Sequence, residues 1–238
     1  MESKWISNDI EYHIGPESIL FIAPHRGEME IEVNQRKLKI GEVGTDHLVK
    51  LAAKEVNGSY IIVHVPRIRA DFARDPKLLG QGEKFRQNLD GEKIWFESHK
   101  DTKYAGLMKK FHTLIKKINP HFIIDIHNMG GKKADAKLGF GRDRRYINGS
   151  DNALKFRDEL LMRLKKPLKI LVSKVELAGE SEYILNKYEK GRLAMLIELS
   201  SPLGLDRKKG IYRQEFQELI GQVARLALEW TKLKNPKR

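Results

Sequence analysis

The sequence predicts an α/β fold, a single three-layer domain over residues 1–238 with a central, mostly parallel (mixed) sheet flanked by helices. Three observations predict it. Short apolar runs alternate with stretches of helical period from end to end, no linker or internal repeat interrupts them, and 238 residues suffice for a substantial core.

The elements follow in order. SILFIAP (18–24) has the unbroken apolar character of a buried strand, and EMEIEV (28–33) alternates polar with apolar, as an extended segment with one wet face does. TDHLVKLAAKEVNG begins with Thr45 as a cap, continues as a helix and stops at Gly58. YIIVHV (60–65) is the next strand. Residues 66–100 show no clear period and read as a long loop, a kind that is commonly functional. Tyr104, Leu107, Met108, Phe111, Leu114, Ile115 and Ile118 recur at helical spacing, closed by Asn119-Pro120. Strands are predicted over HFIIDI (121–126), KLGFG (137–141), LKILV (168–172) and LAMLIEL (193–199). Helices are predicted over 151–164 and 181–190, and a long final one carries Phe216, Leu219, Ile220, Val223, Leu226, Ala227 and Trp230.

Composition narrows the class of partner. Lysine and arginine number 45 against 32 acidic residues, a net charge of +13, which favours anionic partners. A small substrate bearing a carboxylate is the first choice and nucleic acid the second, because the basic residues are scattered and no aromatic residues interleave them. The chain has no cysteine, which excludes disulfides and thiolate metal sites. Its start lacks an apolar signal region and no segment reaches the roughly 20 apolar residues of a membrane span, so a cytoplasmic location without membrane contact is expected. The many charged residues and the lack of cysteine would also suit a thermophile.

In parallel sheets, ligands bind beyond the carboxyl ends of the strands. His25 and His127 both stand at such ends, and Glu198 lies near the end of another strand. A catalytic zinc commonly takes three His and carboxylate ligands and keeps a fourth position open. His25 and Glu28 (H-R-G-E) with the distant His127 meet that demand for one zinc or other divalent ion. Gly27 allows the turn between them to tighten. Glu198, at the end of an apolar strand, is the candidate general base, since burial raises a carboxyl toward the useful range. Arg67, Arg69 and Arg74 from the loop are placed to clamp a substrate carboxylate, with Asp71 orienting one of them.

Each assignment has a simpler reading. His25 alone is an ordinary strand-end histidine, and Glu28, Glu30 and Glu32 alternate as on any wet edge strand. Asp125 either supports a histidine or points into a polar gap. Arg67, Asp71 and Arg74 would also make a structural ion-pair network. His64, His99, His112 and His121 read as structural or exposed.

Six segments in order resemble the N-formylglutamate amidohydrolase family, which is similar in fold to zinc carboxypeptidases and aspartoacylases. They are APHRG (23–27), GTDHLVKLAA (44–53), VPRIRADFARDP (65–76), IIDIHNM (123–129), GFGRDR (139–144) and MLIELS (195–200). The resemblance implies a zinc-dependent amidohydrolase acting next to a carboxylate, with His25 and His127 as ligands and Glu198 as base. It further implies Arg67, Asp71, Arg74 and Asn128 at the substrate, with Asp46 nearby. Asn128 stands where the family has serine, and Ala73 where it has asparagine. For the third ligand, Glu28 follows the carboxypeptidase and aspartoacylase style, and Glu30 suits the similar poly-gamma-glutamate hydrolases.

Overall fold

Apolar runs covered on both faces build the middle of the sheet. The computed structural model describes residues 1–33, 36–89, 92–140, 150–172, 183–188 and 192–234. In it β3 (Ile19–Ala23) and β6 (Ser59–Val63) are buried at every position. So are β9 (Phe122–Met129) and β12 (Leu193–Ser200), except at Asn128 and Glu198. These four strands run parallel in the order β6-β3-β9-β12. Near-continuous hydrophobic sequence is what a parallel strand between two helical layers requires.

The sheet has eight strands. Beyond β6, β2 (Ile10–His13) and β1 (Lys4–Ile6) continue it in antiparallel pairing. Beyond β12 comes antiparallel β10 (Ala136–Gly139), with β11 (Ile170–Val172) parallel to it at the edge. The mixed sheet flanked by helices agrees with the expected class.

One face is covered by α1 (Thr45–Val56), α3 (Ser150–Arg163) and α6 (Gln214–Lys234). Their residues Leu48, Phe156, Phe216 and Val223 pack with Phe21, Ile62, Ile124 and Ile197. The other face is covered by α2 (Ala105–Ile118) and α4 (Tyr183–Tyr188), through Met108, Phe111, Ile115 and Leu185 against Leu20, Ile61 and Ile123. After β12 the chain makes a short α5 (Ser201–Gly204) and the small hairpin of β13 (Leu205–Asp206) and β14 (Ile211–Tyr212). Among the described residues, no helix is long and apolar enough to cross a membrane.

Several local expectations are corrected. Thr45 is not the cap of α1. Gly44 precedes the helix at φ 87°, and the Thr45 hydroxyl donates back to the Glu42 carbonyl at 2.7 Å. Asn57, left-handed at φ 52°, closes that helix one residue before Gly58. The segment 28–33 is extended as expected, and it pairs as one arm of a hairpin, β4 (Met29–Val33) with β5 (Arg36–Ile40). The long loop 66–100 contains a second hairpin, β7 (Glu83–Leu89) with β8 (Glu92–Ser98), and the sequence between them reads Asp-Gly, a dipeptide favoured in hairpin turns. The family-like GFGRDR lies outside the described residues beyond Phe140.

A buried polar link joins α2 to α4. The Tyr188 hydroxyl donates to the His112 carbonyl at 3.1 Å and lies 3.1 Å from His112 Nδ1. Burial, with Lys187 and Lys116 nearby, holds the His112 imidazole down to about 4 from 6.5. The unfolded chain therefore binds the proton first, and stability falls as pH drops from 6.5 toward about 4. In His112→Gln that titration is gone. Denaturant melts across the same window should show the acid-side loss reduced by about 3 kcal/mol.

Candidate metal centre

The sheet register brings the two strand-end histidines together. Ile22 of β3 lies opposite Asp125 of β9, so His25, three residues on past the end of β3, comes beside His127, two residues on along β9. Their ring centroids are 4.8 Å apart. Gly27 makes the turn possible. Its N–H donates to the Val63 carbonyl at 3.2 Å, and a Cβ there would sit 2.3 Å from the His64 carbonyl oxygen. No side chain fits at that approach.

The carboxylate between the imidazoles is Glu42. Its Oε1 is 3.0 Å from His25 Nδ1 and 3.3 Å from His127 Nδ1. Among the described residues this trio is the group whose donor atoms converge, all within 4.8 Å. Glu28 does not join it. The chain enters β4 at Met29 and leaves the sheet rim, so Glu28 stays exposed, 3.3 Å from Arg26 Nη1. Glu30 is exposed too, pairing across the hairpin with Lys37 at 3.3 Å. The hairpin closes where the Glu42 N–H donates to the His25 carbonyl at 2.9 Å, and that closure delivers a carboxylate 17 positions downstream. Sequence reasoning does not reach Glu42. The available signal is the glycine-flanked G-E-V-G at 41–44, just after two alternating segments able to pair.

Behind each imidazole stands an aspartate. Asp71 Oδ1 accepts from His25 Nε2 at 2.7 Å, and Asp125 Oδ1 lies 3.2 Å from His127 Nε2. Both aspartates are fully buried. His25 turns Nε2 to Asp71 in a hydrogen bond, and Asp125 stands beside Nε2 of His127 at ion-pair distance, so each ring presents Nδ1 to the shared point. Asp71 is itself held: Oδ1 also accepts from the Ala73 N–H at 3.0 Å, and Oδ2 from Arg67 Nε at 2.8 Å. Arg74 Nε lies 3.7 Å from Oδ2. The arginine network and the histidine support thus meet in one carboxylate.

Glu42 has a support of its own. Its Oε2 accepts from the Asn128 N–H at 3.2 Å. The Asn128 side chain donates to the Val43 carbonyl at 3.0 Å and accepts from the Tyr212 hydroxyl at 2.6 Å. Asn128, expected at the substrate, has its side chain on the opposite face of β9 from His127, because neighbours on a strand alternate. Asp46 pairs with Arg26 at 2.9 Å, and Arg69 Nη1 donates to the Tyr104 hydroxyl at 3.4 Å. Glu198 is the partner of His127 in the β9–β12 register, half-buried on the same face of the sheet.

The donor set suits a divalent cation. Burial alone would raise the Glu42 carboxyl, but His127 and His25 outweigh it and hold it well below the usual range. Burial would lower both histidines. Asp71 and Glu42 overcome this at His25, against an opposing Arg67, and Asp125 and Glu42 overcome it at His127, so both are raised. A field that draws protons to two imidazoles around one carboxylate attracts a cation to the same point. Donors about 2.0–2.1 Å from a tetrahedral ion stand about 3.3 Å from one another; the two histidine–Glu42 separations, 3.0 and 3.3 Å, approach this, and all three donors lie within 4.8 Å. His25, Glu42 and His127 are therefore the residues able to hold an ion.

No family model matches the chain, and no curated protein matches it. Solved structures do. The chain is similar to N-formylglutamate amidohydrolase from Ralstonia eutropha, with TM-score 0.58 and 13% identity over 94% of this chain and 97% of that one. A gene product from Agrobacterium tumefaciens gives TM-score 0.61 and 10% identity over 96% of each chain. A bacteriophage poly-gamma-glutamate hydrolase gives 0.53 and 12% over 97% and 93%. The likeness implied by the motifs is thus present in the fold, nearly end to end.

Gly27→Ala tests the turn. The added methyl should cost about 1–3 kcal/mol in denaturant melts, the scale of overpacking, and displace His25 enough to weaken zinc binding in a chelator competition.

Proposed function

We propose that the protein is a metal-dependent hydrolase, holding one zinc or similar divalent ion, that cleaves the amide bond of an acidic N-acyl amino acid or peptide-like substrate. The observation that carries this is the convergence of His25 Nδ1, His127 Nδ1 and Glu42 Oε1, with an aspartate behind each ring. The named activities of two proteins sharing the fold, on formylglutamate and poly-gamma-glutamate, support the substrate class.

The N/O donors of His25, Glu42 and His127 suit zinc, which when bound supplies Lewis acidity for attack on a carbonyl. The chain's residues do the rest. Asp71 and Asp125 keep the rings in the Nε2–H tautomer. Glu198, beside His127 on the same face, accepts a proton from the attacking water at its carboxylate and returns it to the leaving nitrogen. Arg67 and Arg74, on the loop that also holds His25, bind the substrate's carboxylate.

The +13 charge supports a second reading, an RNA-associated role, which requires binding that weakens steeply with salt. Flat, weak binding to RNA across salt concentrations would remove it.

Purified protein should contain or take up zinc and hydrolyse N-formyl or N-acetyl amino acids in a chelator-sensitive way. Absence of both results rejects the proposal. Glu198→Gln should cost at least about a hundredfold in kcat, the scale of a positioned base, while zinc content is retained. For the third ligand, Glu42→Gln should weaken zinc affinity by at least about a hundredfold, whereas Glu28→Gln should stay within about threefold of wild type. The reverse ranking would return the role to Glu28.

A further inference from the structure

His99 sits at the end of β8, fully buried, with its backbone at φ 63°. The left-handed region is unfavourable for a residue with a Cβ, and glycine or asparagine would adopt it more readily. A histidine kept there points to a requirement for the side chain. Both ring nitrogens are engaged. Nδ1 accepts from the Asp71 N–H at 3.1 Å, and Nε2 lies 3.1 Å from the Asp75 carbonyl oxygen. An amide N–H can only donate and a carbonyl can only accept, so these partners specify the neutral ring with its proton on Nε2. The segment is pinned on its other side, where the Gly80 N–H donates to the His99 carbonyl at 2.7 Å and the Asp101 N–H to the Arg69 carbonyl at 3.0 Å.

We infer that His99 is a positioning residue for the metal centre: it anchors the backbone of Asp71, whose carboxylate in turn orients His25. The geometry runs as one chain of contacts. The His99 ring fixes the Asp71 main chain, and Asp71 Oδ1 takes the His25 Nε2 proton at 2.7 Å. His25 Nδ1 is thereby left facing Glu42. The same ring bonds to Asp75, so the turn carrying Arg74 is gripped at both ends. This role rests on the metal-dependent reading above, and nothing in the spacing of His99 from the other site residues announces it.

The test is zinc affinity, measured by chelator competition on protein shown to be folded by its melting curve. His99→Asn keeps an acceptor near the Nδ1 position and suits the backbone, so it should bind zinc within about threefold of wild type. His99→Gln can reach the Asp75 carbonyl but offers no acceptor at that place, and should weaken zinc about tenfold, the low end for losing an outer support of a ligand. In an Asp71→Asn background, where the path to His25 is already broken, His99→Gln should add less than about threefold. Equal affinities for the Asn and Gln variants would overturn the inference, as would a full tenfold loss persisting in the Asp71→Asn background. A wild-type protein that binds no zinc overturns the metal reading itself. A wild type that binds zinc, with both His99 variants unchanged, overturns the positioning role alone.

Discussion

The sharing of Glu42 Oε1 by two imidazole nitrogens is the interaction from which the rest of the site follows. Neither histidine is close to the glutamate on its own strand. His25 comes off the end of β3, His127 belongs to β9 and Glu42 follows a hairpin, so their meeting requires the β3–β9 register, the tight approach at Gly27 and the hairpin's closure together. Three mostly buried titratable groups within 4.8 Å would be costly as isolated charges. Placing charge of opposite sign around them makes the cluster stable, and the same arrangement makes it receptive to a cation.

That electrostatic requirement explains the outer residues. Each ring has a carboxylate beside Nε2, Asp71 in a hydrogen bond from a loop and Asp125 at ion-pair distance from the interior of β9. Asp71, as a buried carboxylate, needs donors in turn and finds them in Arg67 and in the Ala73 N–H, with Arg74 nearby. Burial opposes its charge, yet Arg67 and His25 keep its carboxyl well below the ordinary range. The loop that carries Arg67 and Arg74 therefore also supports His25 in the candidate centre. The two readings of Arg67, Asp71 and Arg74 open at the sequence level are compatible.

What could be read from the amino acids and what could not has a physical pattern. β3, β6, β9 and β12 were visible because a strand covered on both faces must be apolar throughout, and α2 because its buried stripe and Asn119-Pro120 end are local features. The short strands β1 and β2 and the hairpin β7–β8 lack such a run, although Asp90-Gly91 was a hint. The strand-end histidines were visible because parallel topology dictates where ligands gather. Glu42 was not, since its place depends on two segments pairing and returning the chain to its starting point. Proximity in sequence favoured Glu28, and the closed hairpin put another carboxylate there. The partners of Asn128 were not legible either, because one step along a strand changes the face and turns its side chain to Val43 and Tyr212.

The β4–β5 hairpin separates two residues of the cluster while its base is joined by the bond from Glu42 to the His25 carbonyl. Length and composition between residues 28 and 41 are thereby uncoupled from the spacing of the donor atoms. The arms form a cassette, open to lengthening, shortening or replacement so long as the junction is kept. Searches for similar centres by a fixed histidine-to-glutamate interval would miss every chain that carries such an interruption.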